Sequence, residues 1–172
     1  TASSSGTLSF VDGSSDVVLD STYKEYIFIC NNIHAATNGA NFTFQGNASG
    51  GSGYNETITS TVFRPYHGED DSSDLGYKTN GDQAQGTSFQ GLSFSLGADE
   101  NDESSSGILH LFNPSSTTFV KHFIATFNLN TASSEEENDF TAGYFNTTSA
   151  IDEIQFKMDS GNIDAGTITL YG

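Results

Sequence analysis

The chain has 172 residues, the size of one ordinary domain, and 22 Asp and Glu against 5 Lys and Arg give it a formal charge of −17. That charge repels phosphate backbones and anionic bilayers and leaves no basic patch to hold either, which argues against nucleic acid and membrane as partners. Fourteen Phe and seven Tyr without Trp, and 18 Gly against 2 Pro, describe an aromatic and β-branched core standing on sheets joined by flexible turns.

The opening TASSSGTLSF lacks the basic and apolar regions of a signal peptide, and no run of apolar residues is long enough to span a bilayer. Residues 1–12 read as an N-terminal arm plus a first strand at 7–11, and 13–172 as a single domain. A polar, Ser-rich start ending in Leu8 and Phe10 is suited to adding a strand to a partner's edge. Two-residue alternation predicts further strands at 23–31, 40–45, 58–65, 88–95, 107–112, 118–128, 140–146, 151–158 and 166–170. About ten short strands separated by Gly, Ser, Asn and Asp clusters predict an all-β fold, an antiparallel two-sheet β-sandwich of jelly-roll type. Residues 46–54, 68–86 and 97–106 lack strand character and read as surface loops.

In 118–128, Phe119, Phe123, Ala125 and Phe127 share a parity with Lys121, while Val120, Ile124 and Thr126 share the other with His122. Apolar residues on both faces of this strand, and of 26–30, predict a central position with the second face under a neighbouring loop or a subunit, and two such strands in so small a domain point to a subunit interface. Cys30 stands alone in the second of these strands and reads as a small core side chain.

The closing residues 151–172 run IDEIQFKM, DSGNIDAG and TITLYG, a hairpin of two alternating strands. This ending resembles the C-terminus of structural proteins of marine tailed bacteriophages. Three further segments resemble the same group: STYKEYIFICNN at 21–32, LHLFNPSSTTFVKHF at 109–123 and AGYFNTTSAI at 142–151. The resemblance implies a β-sandwich component of a virion, one that builds or decorates a particle.

The acidic side chains form three clusters, Glu69 to Asp74, Asp99 to Glu103 and Glu135 to Asp139. They read chiefly as solvated charge, and no EF-hand spacing is present; if one cluster takes a calcium ion, Asp99, Asp102 and Glu103 in a short loop are the choice. The four histidines lack zinc spacing, and His110 and His122 fall in strands expected to be neighbours, where they read as polar positions at a partner contact; meeting across a trimer axis, they would make assembly pH-sensitive. Neither a nucleophile elbow nor a pair of carboxylates in apolar surroundings is found, and the chain reads as non-enzymatic. Tyr54, Tyr66 and Tyr77, with loop amides, would suit sugar stacking.

These features predict a homo-oligomer, a trimer, that sits on the major capsid protein at the outer surface of a phage capsid and cements the shell. The alternative is a tail-fibre or head-fibre adhesin that binds host glycans through its loop tyrosines.

Overall fold

In the computed structural model, which describes residues 1–100 and 102–172, strands and turns account for the fold and no helix occurs among the described residues. The strands are β1 (Leu8–Val11), β2 (Glu25–Ala35), β3 (Ala40–Ala48), β4 (Ile58–Gly68), β5 (Ser73–Tyr77), β6 (Ala84–Gly86), β7 (Gln90–Leu96), β8 (Ser105–Phe112), β9 (Lys121–Asn130), β10 (Glu135–Phe145), β11 (Ile151–Met158) and β12 (Ile163–Tyr171). They form two antiparallel sheets, a four-stranded one in the order β1-β11-β3-β7 and an eight-stranded one in the order β12-β2-β8-β9-β10-β4-β5, with β6 paired to β4. The expected β-sandwich is present. Its sheets are unequal, which distinguishes it from an eight-stranded jelly roll.

The core lies where the inward positions of the two sheets meet. Phe42 and Phe44 on β3 and Phe156 on β11 face Phe28, Phe123 and Phe127 of the larger sheet, all fully buried. Phe42 stacks on Phe156 at 5.7 Å, and Phe44 meets the Phe123 ring edge-on at 5.0 Å. Aromatic pairs in these geometries add to the stabilisation given by their buried area. Gly107 on β8 makes room for this packing, because a Cβ there would collide with the Phe127 ring and the Thr126 carbonyl.

Several expected boundaries move. The predicted loop 68–86 contains two edge strands, β5 and β6, and the predicted loop 97–106 ends in the first residues of β8. β3 continues to Ala48, into the predicted loop 46–54. β9 begins at Lys121, so Phe119 precedes it and stands 68% exposed instead of sharing the buried parity of Phe123. β10 begins at Glu135, which turns part of an acidic cluster into strand.

The first residues do not form a free arm. The backbone N–H groups of Ala2, Ser4 and Ser5 donate to the carbonyls of Gly166, Asp164 and Ile163, and β1 pairs with β11 along Leu8–Val11. Phe10 closes edge-on upon Phe28 and Phe156, at 5.2 and 6.0 Å. Leu8 and Phe10, expected at a partner's edge, are spent on the chain's own core.

Candidate functional site

The larger sheet extends past β7, the edge of the smaller one, and the connection 78–89 with Phe94 lies over the inner faces of β10 and β4, while β5 stays exposed. Buried amides fix that cover: Gln90 Nε2 donates to the Gly81 carbonyl at 2.9 Å, and Gln45 Nε2 donates to the Ser88 carbonyl at 3.0 Å. Beneath it, Arg64 of β4 pairs with the buried Glu137 of β10, and Lys78 Nζ stands 3.7 Å from the same carboxylate and 4.8 Å from the Phe94 ring centroid. Asp139, two residues along β10 on the same inward face, is fully buried and accepts the Phe94 N–H at 3.1 Å. Burial pushes its carboxyl up to about 7, against the pull of Lys78 and Arg64. Burial also lowers Lys78, with the Arg64 charge adding to the effect.

This cluster corrects the reading of Glu137 and Asp139 as solvated charge, while Glu136 is exposed as expected. Glu137, Asp139 and Thr141 continue the inward parity of Phe145, so the strand's alternation carries the acids indoors, where two cations from β4 and the β5 connection meet them. Lys121 is a second buried cation. Its Nζ donates to the Thr147 carbonyl at 3.1 Å, and burial lowers its pKa.

Asp99, Asp102 and Glu103 lie around one depression with Glu69, Glu100 and Glu135. Asp99 accepts the Asn38 amide at 2.6 Å and Glu103 accepts the Glu100 N–H at 3.1 Å, so both serve the loop's own conformation. Among the described residues no three His, Cys, Asp or Glu side chains converge with metal-holding geometry.

The three tyrosines separate. Tyr54 donates its hydroxyl to Glu153 at 2.7 Å and leans on Phe89, a packing role. Tyr66, on β4 beneath the Arg64 guanidinium, and Tyr77, at the end of β5 with its hydroxyl on Asp82, share a depression of about 240 Å3 with Asp74, Lys78 and Asn80.

His110 and His122 stand on one face, the outward side of the larger sheet, on the neighbouring strands β8 and β9. His110 contacts Glu25 at 2.7 Å, and His122 meets the Tyr144 ring at 5.9 Å. The register carries this face across seven strands. One row runs from Ile29 through Ile108, Thr126, Phe140 and Phe63 to Tyr77. The next runs from Ile27 through His110, Ile124 and Ala142 to Thr61. Phe63 and Phe140 stack across β4 and β10 at 4.7 Å, in the open. Along the paired strands, 3 of the 22 acidic residues, Glu25, Glu136 and Asp164, point outward here, all near strand ends and each beside a polar neighbour on the face, His110, Asn128 and His34. Alternation in β9 signals this face in the sequence, whereas its depletion in acid depends on which strands become neighbours.

Comparison with known proteins finds no family model, no curated protein and no solved structure that matches the chain.

Proposed function

We propose that the chain is a non-enzymatic structural protein of a tailed-phage virion, a decoration or cement protein that assembles with itself and with the major capsid protein on the outer capsid surface. The observation that carries this reading is the outward face of the larger sheet, apolar and nearly free of carboxylates on a chain of charge −17. Monomeric proteins seldom leave an apolar patch of several hundred Å2 in water, and such patches mark protein contacts. The resemblance of residues 151–172 and of three internal segments to phage structural proteins supplies the context. The mechanism is mass action: a subunit that binds only the assembled lattice stabilises it by the free energy of that binding.

A second reading, a fibre adhesin for host glycans, is favoured by the depression that Tyr66 and Tyr77 share with Asp74 and Asn80. Copy number and radial position in purified particles, by quantitative mass spectrometry with a low-resolution reconstruction, separate the two. Many copies on the outer shell support the decoration protein; a few on the tail support the adhesin; none in the particle removes both.

A further inference from the structure

We propose that the outward face of the larger sheet is a self-association surface on which a second copy of this chain packs sheet to sheet about a two-fold axis. The inference rests on the reading of this chain as an assembly protein and names the partner of its apolar face.

Charge selects the partner. Of 22 acidic residues, 3 point outward along the strands of this face, all near its ends. Two copies meeting through the acidic surface around Glu69, Asp99 and Glu103 would oppose carboxylates. Meeting through this one, they oppose Ile, Thr, Phe and His. A surface that pairs with itself makes an isologous contact, which requires a two-fold axis. A three-fold arrangement would instead press this face on a different surface, which forfeits the match of one apolar face to its own copy.

Area and shape agree. Seven strands about 4.8 Å apart span about 29 Å, and four same-face positions along a strand span about 20 Å. The product is about 600 Å2 per copy, or about 1,200 Å2 in all, above the roughly 1,000 Å2 expected of a specific contact. The two central rows present Ile29, Ile108, Ile124, Phe63 and Phe140, with Ile108 39% and Ile124 51% exposed. Glu25, Glu136 and Asp164 sit toward the margins, the arrangement of an apolar centre with a polar rim. Sheets that pack face to face interdigitate their side chains at about 10 Å separation. The shallow depression of about 410 Å3 between β9, β10 and β4, lined by His122, Ile124, Ala142 and Tyr144, gives such side chains a place to enter.

Sedimentation velocity of the full chain, from micromolar to submillimolar concentration, tests the contact. The expected result is a species of twice the 18.3 kDa chain mass. Ile124→Glu should abolish it, and Ile124→Thr, which keeps the β-branch that suits a strand, should weaken it by about tenfold. Ser9→Glu, on the smaller sheet, should leave it unchanged. Far-UV circular dichroism checks that each variant is folded, and the Thr variant carries the test if the Glu variant is not. A wild-type monomer throughout the range, or a dimer that both Ile124 variants leave intact, overturns the proposal. A dimer that is absent from particles keeps the contact and removes the virion reading; a monomer that still binds particles overturns the contact alone.

Discussion

Asp139 is the residue whose environment departs furthest from what its type prefers. Its carboxyl moves from 3.8 to about 7, because burial penalises the charged form more than Lys78 and Arg64 favour it. A raised carboxyl binds its proton more tightly in the folded protein than in the unfolded chain. Between about pH 4 and about pH 7 the folded state therefore keeps a proton that the unfolded state has released, and this group's contribution to stability falls as pH rises through that window. Urea unfolding at pH 5 and pH 8 should accordingly show a difference in favour of pH 5 that Asp139→Asn reduces, since Asn still accepts the Phe94 N–H; an unchanged difference would assign the slope to other groups. Glu137 neutralises Arg64 and Lys78 together, and Glu137→Gln should destabilise the fold by about 3 kcal/mol by stranding two cations under the 78–89 connection, measurable as a lower urea midpoint with unchanged m.

Among the elements, β9 and β10 divide the legible from the illegible. Strict alternation in β9 was enough to direct Phe123, Ala125 and Phe127 inward, and Phe123→Asp should prevent soluble refolding, because it places an unpaired charge against Phe44 and Phe145. Soluble, cooperative unfolding of that variant would contradict the packing. The start of β10 was hidden. EEEND reads as solvent, and the cations that compensate it come from β4 and the connection after β5, some sixty to seventy positions earlier in the chain, which only the sheet order brings alongside. β5 and β6 were missed because they are short edge pieces lacking β-branched residues, and Phe119 was placed inward by a parity that β9 does not carry back that far. The N-terminal segment was misread for a different reason: a Ser-rich start has the composition of a free arm, but its backbone bonds to β12 and its Phe10 fills a gap between the sheets. Phe10→Ala should thus cost about 2 kcal/mol, the loss of a half-buried aromatic, and lower the thermal midpoint by several degrees; an unaffected midpoint would restore the free-arm reading.

At the scale of the molecule, uneven distribution of charge has the largest effect. Copies that join through a neutral face still carry −17 each, and their mutual repulsion acts over a Debye length that shrinks from about 30 Å at 0.01 M salt to about 8 Å at 0.15 M. Self-association should therefore tighten as salt rises across that range, the reverse of a contact held by ion pairs, and sedimentation at the two ionic strengths reads the sign. Single carboxylates in the acidic loops matter little by comparison: Asp70→Asn should be neutral for folding and mass, Asp70 being fully exposed and bonded only within its own turn. The pairing of β1 with β11 and of β2 with β12 has a consequence for biosynthesis. Neither sheet can close until the last strands leave the ribosome, and folds built on such distant pairings form in milliseconds to seconds instead of microseconds. During that interval Phe28, Phe42 and Phe44 wait without Phe156, the condition in which nascent chains adhere to one another. The same negative charge that slows the meeting of finished subunits also keeps unfinished chains on neighbouring ribosomes apart, so an acidic composition protects the chain while its core is still open.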